Sequence, residues 1–403
     1  MSITKDPSAK KEKSKDTSKT KVAIVKCESY DEQVVYDALK HAIKLIGGID
    51  LFVKDNEKLL LKVNCLAGVK SDDAVTTHPS ILNAAIKILK DNQDKKTKRD
   101  RKIRLTYGDS PGFGKPEASL EISGFKTVAD RHNVPLGDFD HGQEKSYNGS
   151  VSKSFDIANA CLEIDGIISL CKMKTHALAK ITGAVKNQFG CVYGLHKASF
   201  HAKIPNPTNF SRMLVELNLL LKPRLFIMDG IIAMEGNGPR SGTPVKMNCI
   251  IVSSDPVAID STFCRMINID PATVPTNKYG KMYGLGTYDL ENIEYVGDPI
   301  EDFMNPYFKI DRKPVSNDLF KSIMPAFVRN QLFPKPMIDP EKCVKCGICV
   351  SACPVEGKAL NFKDSDTNPG TKDKTQPPVY DYDKCIRCYC CQEMCPHHAI
   401  HVK

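Results

Sequence analysis

The strongest constraint on this chain is a cysteine spacing that occurs twice near its carboxyl end. Nine of its 16 cysteines fall between Cys343 and Cys395, out of 403 residues. Eight of the nine form two runs of the spacing C-x2-C-x2-C-x3-C-P, namely Cys343, Cys346, Cys349 and Cys353 before Pro354, and Cys385, Cys388, Cys391 and Cys395 before Pro396. This spacing is typical of segments that bind a 4Fe-4S cluster. The sequence therefore predicts two 4Fe-4S clusters.

The spacing also predicts how the ligands are shared between the clusters. Three thiolates in one tight loop can reach three irons of one cubane, whereas the fourth cysteine, next to proline, is carried away and binds the other cluster in two-cluster proteins. We therefore predict that Cys395 completes the cluster held by Cys343, Cys346 and Cys349. Similarly, Cys353 completes the cluster held by Cys385, Cys388 and Cys391. Cys390 is given no ligand role.

Disulfides and structural zinc are the alternatives for so many cysteines. Disulfides need an oxidising compartment, and the segment Met1–Lys21 lacks the apolar core of a secretory signal. Zinc sites usually pair two C-x2-C units across a gap of about a dozen or more residues. Two complete four-cysteine runs, each followed by proline, fit neither pattern. Iron–sulfur binding is the favoured interpretation.

The charge and hydropathy pattern limits the partners and the location. The formal net charge is +9, part of it in a Lys-rich segment, residues 1–20, which we predict to be a disordered tail. Trp is absent and no aromatic residues interleave with these lysines, so a nucleic-acid role is disfavoured. No apolar run reaches the roughly 18 residues of a membrane-spanning helix. We expect a cytoplasmic protein that binds neither nucleic acid nor membrane.

Residues 21–335 alternate strand-like and helix-like patterns, which predicts an α/β domain with a largely parallel sheet and flanking helices. The predicted strands are Val22–Val25, Lys58–Val63, Ile103–Tyr107, Asp165–Leu170, Leu225–Met228 and Met247–Val252. The predicted helices are Asp31–Leu45, Pro79–Leu89, Lys180–Phe189, Phe210–Leu221 and Pro256–Ile267. A proline-rich connection, with a further helix around Asn317–Asn330, leads to a second domain at residues 336–403.

The second domain resembles a bacterial-type ferredoxin, a small pseudo-symmetric α+β domain with two clusters. The resemblance rests on the two cysteine runs described above. A polar insert at Lys363–Gln376 departs from the pattern between the two runs. We expect this insert to lie at the surface and to leave the ligand assignment intact.

Polar segments follow four of the predicted strands. These segments begin at Lys62, Gly108, Lys172 and Asp229. In open α/β sheets, ligands sit outside the carboxyl ends of the strands. We therefore expect the four segments to form one crevice.

The crevice is rich in groups that suit an anionic substrate. Lysines can hold a phosphate or carboxylate, and backbone amides in glycine-rich turns can cradle its oxygens. The candidate catalytic residues are Lys172, Lys174, His176, Asp109 and Glu235. The candidates for binding a substrate or cofactor are Lys62, Asn64, Ser110, Lys186, Asn187 and Asn237. Any single lysine among them is more readily explained as a solvated side chain.

Two glycine-rich segments resemble known catalytic or nucleotide-binding motifs but do not match them. Gly108–Gly112 fits the G-x-S-x-G nucleophile elbow, but the residue after Ser110 must donate its N–H to an oxyanion hole, and Pro111 has none. Gly236–Gly242 is neither a G-x-G-x-x-G dinucleotide fingerprint nor a phosphate-binding P-loop. A serine hydrolase is therefore disfavoured, and no flavin or nicotinamide fingerprint is visible.

The order of these short motifs resembles the domain-of-unknown-function family 362 over about residues 57–270. The motifs are Lys62-Val63-Asn64, Thr76–Pro79, Gly108–Gly112, Lys172–His176, Gly183–Asn187, Asp229-Gly230 and Met234–Pro239. Val63 stands where the family pattern has proline. The resemblance implies an α/β core joined to an iron–sulfur module, and it fixes no reaction.

Two functions remain open at this stage. In the first, the chain is an oxidoreductase that passes electrons from a donor, through the clusters, to an anionic small molecule in the α/β domain. In the second, it is an electron carrier whose α/β domain docks a partner without catalysis. Both require a redox partner protein, and a structural or sensory role for the clusters is a third possibility.

Overall fold

The computed structural model describes residues 19–94, 102–194, 196–313, 326–365 and 371–403. Most of the tail predicted at residues 1–20 lies outside these ranges, although Thr20 already belongs to the first strand. The helix predicted around Asn317–Asn330 also lies largely outside them. Its described part belongs to a helix at Ala326–Leu332.

A large, mostly parallel sheet forms the centre of the first domain. In chain order the strands are β1 (Thr20–Lys26), β2 (Lys58–Lys62), β3 (Arg104–Gly108), β4 (Gly142–Ser146), β5 (Ser154–Ala158), β6 (Gly166–His176), β7 (Lys180–Thr182), β8 (Leu225–Glu235), β9 (Thr243–Ser253), β10 (Ile293–Gly297), β11 (Pro336–Ile338), β12 (Leu360–Asn361), β13 (Val379–Tyr380) and β14 (Ile400–Val402). Eight of them form one sheet in the order β10-β1-β9-β8-β6-β2-β3, with β7 attached to β6. Within it, β9 runs antiparallel to both of its neighbours, β1 and β8. The predicted α/β class with a largely parallel sheet is confirmed.

Helices cover both faces of this sheet. They are α1 (Glu32–Leu45), α2 (Pro79–Asp94), α3 (Pro116–Ile122), α4 (Phe125–Arg131), α5 (Asn159–Leu162), α6 (Ala184–Asn187), α7 (His196–Lys203), α8 (Pro207–Leu221), α9 (Pro256–Met266), α10 (Pro275–Met282), α11 (Ala326–Leu332), α12 (Ile348–Ser351) and α13 (Cys390–Met394). Strand β2 shows why the central strands are apolar throughout. Leu59 and Leu61 pack in the core that contains α1 and α2, while Leu60 packs in the core that contains α8. Successive side chains of a strand point to opposite faces, so a central strand must be apolar at every position.

The carboxyl ends of four parallel strands lie at one edge of the sheet. Strand β2 pairs in parallel with β3 and β6, and β6 pairs in parallel with β8. The polar segments that begin at Lys62, Gly108, Lys172 and Asp229 therefore gather at this edge, as expected from the sequence. Strands β6 and β8 are longer than predicted, however, so Lys172–His176 and Asp229–Glu235 belong to the strands themselves.

The helix predicted over Lys180–Phe189 is wrong in its first part. Lys180 adopts a left-handed backbone with φ 67°, and the chain turns back to pair β7 with β6. The short helix α6 starts only after Gly183, where the Asp260 carboxylate accepts the backbone N–H groups of Ala184 at 2.6 Å and Val185 at 3.1 Å. A carboxylate from a distant helix α9 thus decides where α6 begins, which local sequence does not reveal.

The C-terminal module has two similar halves. Each half follows its second cysteine with a left-handed residue, Gly347 at φ 78° in the first and Tyr389 at φ 62° in the second, and then a short helix, α12 or α13. Strand β11 pairs with β14, which joins the beginning and end of the module. Within the polar insert, Asp364 bridges to Lys372, and residues 366–370 lie outside the described ranges.

Asp255 offers a test of how helix α9 is stabilised. Its carboxylate caps α9 by accepting from Val257 and Ala258 N–H, and it also accepts from Thr287 N–H at 2.9 Å. Asp255→Ala should lower the free energy of unfolding by about 2–4 kcal/mol, since it removes a cap and leaves a buried N–H unpaired. Asp31→Ala, which removes an exposed cap of α1 alone, should cost only about 1 kcal/mol. Urea unfolding of anaerobically prepared protein measures both, and equal losses would contradict this account.

Candidate functional site

Two small cavities in the C-terminal module are each lined by four cysteines. The first contains Cys343, Cys346, Cys349 and Cys395. The second contains Cys353, Cys385, Cys388 and Cys391. Each set joins three cysteines of one run to the last cysteine of the other, which is the interleaved grouping expected from the spacing. The residues present therefore fit a 4Fe-4S cluster in each cavity, while the role of each thiolate as a ligand stays a prediction.

The arrangement suits a cubane better than a single metal ion. In the ranges that the structure describes, no three His, Cys, Asp or Glu side chains converge on one ion position. Tetrahedral zinc needs four ligands within about 2.3 Å of one point. The cysteines instead surround a space whose remaining wall is largely apolar, with Ile338 and Ile400 in the first cavity and Leu360 in the second.

The surroundings of the two cysteine sets differ. Cys346 of the first set is exposed to solvent. Cys353 of the second set, together with Pro354, also lines a third and larger cavity. Cys346 therefore exposes the first set to solvent at one point, whereas Cys353 connects the second set with the larger cavity.

This third space, which we call the interdomain cavity, lies between the sheet edge and the C-terminal module and has a volume of about 290 Å³. Six of the residues singled out in the sequence line it, namely Asn64, Asp109, Ser110, Lys174, Lys186 and Asn187. The module contributes Cys353, Pro354, Cys390, Glu393 and Met394. The cavity thus brings the α/β motifs and a cysteine of the second set into one enclosure.

A buried ion pair supports the wall of the cavity. Lys62 Nζ lies 2.7 Å from Asp109 Oδ1, and both side chains are almost fully buried. Asp109 Oδ2 also accepts the backbone N–H of Cys65 at 2.5 Å. Gly190 packs so closely here that a Cβ would meet Asp109 Oδ1 at 1.8 Å. Lys62 therefore lies behind the wall, where it fixes Asp109, rather than in the cavity.

Two lysines point positive charge at the cavity, and neither is hydrogen-bonded to a carboxylate of the residues that the structure describes. Lys174 is 1% exposed, and its Nζ donates to the backbone oxygen of Val75 at 2.6 Å. Burial, reinforced by nearby Lys186, lowers the pKa of Lys174 to about 7. Burial also lowers the pKa of Lys186, against the opposing effect of Glu393. Two neighbouring ammonium groups in a buried wall are the arrangement that an anion would stabilise.

Neutral polar groups complete this part of the wall. Asn64 Oδ1, Thr182 Oγ1 and Asn187 Oδ1 are buried, and none has a hydrogen-bond partner among the residues that the structure describes. Buried polar atoms are normally paired with protein or water. These three atoms are therefore available to a ligand.

His176 faces the C-terminal module instead of the cavity. Its Nδ1 accepts the backbone N–H groups of Leu178 and Ala179, so its proton lies on Nε2, which is 2.9 Å from Glu393 Oε1. Burial lowers the pKa of His176 to about 4, so the ring is neutral near pH 7. Burial tends to raise the pKa of Glu393, but His176 and Lys186 more than offset this, and the carboxyl group stays ionised.

Asn237 belongs to the same contact between the two domains. Its Nδ2 donates to Ile400 O at 2.9 Å, and Gln392 Nε2 donates to its backbone oxygen at 2.8 Å. Arg240 adds a hydrogen bond to Met394 O. The segment Glu235–Pro239 thus holds helix α13, which explains the position of Asn237 without a ligand.

Two further candidates lie outside the cavity wall. Lys172 is fully buried and forms an ion pair with Asp229 at 2.8 Å, and Tyr30 Oη lies 2.9 Å from its Nζ. Glu235 accepts the backbone N–H of Lys309 at 2.8 Å. The structure therefore separates Lys172 and Glu235 from Lys174, and their catalytic roles remain predictions without support from position.

Comparisons with known proteins agree with this architecture. Residues 59–265 match the family described as a domain of unknown function, DUF362. The chain belongs to this family. Residues 335–396 match a 4Fe-4S dicluster domain, so the DUF362 chain carries an iron–sulfur module, as the sequence indicated.

One curated relative and two solved structures illustrate the similarity. A thylakoid-associated protein of Synechocystis is 31% identical over 265 residues, which cover 66% of this chain and 79% of the relative. The lactate racemase apoprotein of Thermoanaerobacterium thermosaccharolyticum has a TM-score of 0.40 at 14% identity, over 62% of this chain and 57% of that one. A protein from Thermotoga maritima has a TM-score of 0.36 at 12% identity, over 65% and 61%. The chain thus spans less than two thirds of either solved structure. Within its described residues, this DUF362 chain has no helix with the length and apolar character needed to cross a bilayer.

Sequence reasoning missed several residues of the DUF362 cavity. His201 lines it and stacks on Phe210, with ring centroids 4.5 Å apart. Glu393 and Cys390 reach it from the module, between cysteines that had drawn attention only as ligands. Lys197 and His201 lie on helix α7 and Glu393 on helix α13, and their place at the cavity becomes visible only in the folded structure.

Tyr380 provides a test of the second cysteine set. Its hydroxyl donates to Cys391 Sγ at 3.3 Å. A hydrogen bond to a ligand sulfur favours the more negative, reduced state of a cluster. Tyr380→Phe should therefore lower a reduction potential, and a bond of about 0.5–1 kcal/mol corresponds to roughly 20–40 mV for one electron.

The matched control for this prediction is Tyr382→Phe. The Tyr382 hydroxyl donates to Pro336 O at 2.9 Å and not to a cysteine sulfur of the described residues, although its ring stacks on Tyr380. Redox titration followed by electron paramagnetic resonance measures both variants. Equal potentials in Tyr380→Phe and the unaltered protein would show that Cys391 is not a cluster ligand in the expected geometry.

Lys172 is expected to act on stability. Lys172→Met leaves Asp229 buried without its cation and should cost about 3–5 kcal/mol. Asp229→Asn should be comparably harmful, while the double variant should recover part of the loss because no lone charge remains. Thermal or urea unfolding checks this, and full additivity of the two losses would argue against a direct pair.

Proposed function

We propose that this DUF362 chain is an iron–sulfur oxidoreductase that holds two 4Fe-4S clusters and passes electrons between a partner protein and an anionic small molecule in the interdomain cavity. The observation that carries this proposal is that Cys353 and Pro354 line both the second cysteine cavity and the interdomain cavity. A ligand in the larger cavity would therefore contact residues that also enclose the cluster. Such proximity is what electron delivery to a bound molecule requires.

We infer from the charge of the cavity wall that the substrate is an anion. Four lysines and two carboxylates line the cavity, so its wall carries more basic than acidic side chains. Lys174 and Lys186 hold the anionic group, and Asn64 and Asn187 supply polar atoms that fix its orientation. Lys62 acts from behind the wall as a positioning residue, because its ion pair fixes Asp109.

Electron supply is assigned to the exposed cysteine set. The bound clusters would accept and pass single electrons. Cys346 is solvent-exposed, and its neighbour Val344 is 56% exposed, so a redox partner protein would dock on this side. We place the activity in the cytoplasm, where reducing conditions keep cysteine thiols from forming disulfides.

The test is reoxidation of the reduced protein by small molecules. Protein with reconstituted clusters would be reduced under anoxic conditions, freed of excess dithionite and mixed with the low-molecular-mass anionic fraction of a cell extract. Visible absorbance follows reoxidation. The double variant Lys174→Met/Lys186→Met should react at least about tenfold more slowly, since each charged hydrogen bond to a ligand contributes about 1.5–3 kcal/mol.

The matched control is Lys180→Gln, which removes a buried lysine outside the cavity that donates to Asp311 O at 2.7 Å. It should react like the unaltered protein. If no small-molecule fraction reoxidises the protein, or if the double variant reacts at the normal rate, the oxidoreductase proposal fails. Reoxidation by a protein fraction alone would then leave the electron-carrier function.

A further inference from the structure

Ser110 presents a hydroxyl proton to the interdomain cavity. Its oxygen receives two donors, Lys197 Nζ at 2.6 Å and the backbone N–H of Gly194 at 3.2 Å. Ser110 and Lys197 both line the cavity and are at least nine-tenths buried. Within the part of the chain that the structure describes, the Ser110 O–H has no acceptor of its own. A hydroxyl that receives two hydrogen bonds and gives none has its proton available to a ligand.

We propose that Ser110 donates a proton to the substrate as it is reduced, with Lys197 replacing that proton, and that the substrate carries a polar double bond beside its anionic group. This inference rests on the proposed function and deepens it. The substrate class is then a carboxylate with an adjacent carbonyl or a conjugated C=C bond. Such groups cannot accept two electrons at neutral pH without also taking up protons.

The reaction balances for a 2-oxo acid. The bound clusters would supply two electrons, delivered one at a time by a one-electron donor protein in two transfers, and the C=O π bond would break. The carbonyl oxygen takes the Ser110 proton to form an O–H bond, and the carbon takes a proton from water to form a C–H bond. Ser110 recovers its proton from the Lys197 ammonium, which is recharged by solvent. The carboxylate stays between Lys174 and Lys186 throughout.

The surroundings of Ser110 favour donation of its proton over nucleophilic attack by its oxygen. The peptide nitrogen after Ser110 belongs to Pro111 and cannot help an oxyanion hole. The Lys197 ammonium also donates to Val192 O at 2.8 Å, which holds it against the serine. Ser110 N–H in turn donates to Gly190 O at 3.1 Å, so the serine itself is fixed.

The pH dependence follows from the groups around Lys197. Burial lowers its pKa to about 7, with Asp109 and Cys191 raising it and Lys62 lowering it. Below that pH Lys197 is an ammonium and can replace the proton. As pH rises past this range the donor is lost, so the rate should fall.

The experiment compares acceptors that need protons with one that does not. Reduced protein with both clusters would be mixed with pyruvate, with fumarate, and with ferricyanide, which takes one electron and no proton. Ser110→Ala should slow reoxidation by pyruvate or fumarate about 100-fold, within the usual range for loss of a general acid. Reoxidation by ferricyanide should be unchanged. Ser110→Thr, which keeps the hydroxyl, should restore most of the rate.

A binding measurement and a control variant at another buried serine complete the experiment. Calorimetry of pyruvate or fumarate with the oxidised protein should show affinity reduced only a few-fold in Ser110→Ala, so the loss lies in the reaction and not in binding. Ser80→Ala removes a buried hydroxyl outside the cavity that donates to Tyr30 O at 2.7 Å, and it should change neither measurement. Lys197→Met should abolish the fall in rate above pH 7.

The outcomes separate this inference from the proposed function. If pyruvate or fumarate reoxidises Ser110→Ala as fast as the unaltered protein, or if affinity and rate fall by the same factor, Ser110 is not a proton donor, and the oxidoreductase proposal still stands. If neither compound reoxidises the unaltered protein while the anionic extract fraction does, the substrate class is wrong. If no small molecule does so, both proposals fall.

Discussion

The contact between helix α13 and the sheet edge is the interaction on which the rest of the structure depends. Glu393 lies against His176, and Gln392 donates to the backbone of Asn237 and Gly238. This helix begins with Cys390 and precedes Cys395, so its seating fixes the cysteine module relative to the α/β domain. Cys390, Glu393 and Met394 of this helix line the interdomain cavity, so the shape of the cavity depends on that contact. In the proposed function, electron delivery and substrate binding would therefore share one structural requirement.

The position of α13 against the sheet edge also explains why several lysine side chains are tolerated at a buried surface. An isolated buried ammonium is expensive, and the lowered pKa values of Lys174 and Lys197 reflect that expense. Thiolates that hold a cluster beside Cys353 would add negative charge to the same region, and an anionic substrate would be held by the charge that remains. The lysines can thus serve both the stability of the loaded module and the binding of a ligand.

Local patterns were sufficient for most of the fold and for the cysteine sets. Apolar runs predicted the central strands, and fixed spacing predicted which cysteines share a cavity. Prediction from the sequence failed where the local structure depends on a residue far away in the chain. Asp260 sets the start of α6, and Glu393 lies 2.9 Å from His176 Nε2, yet each partner lies far away in sequence. Helix α7, which carries Lys197 and His201, had no apolar pattern to connect it with the crevice.

Lys172 and Lys174 show how strand pairing can give two neighbouring lysines different roles. Both lie on β6, two positions apart, and both are buried. Across the pairing with β8, Lys172 stands opposite Asp229, whereas a register shift places Lys174 opposite Met234. The first ammonium is neutralised inside the protein, and the second is left with a backbone oxygen. Because their partners on β8 differ, Lys172 forms a structural ion pair, whereas the charge of Lys174 is available to a ligand. For this reason variants at Lys174 test binding, while a combined change that includes Lys172 would confuse binding with folding.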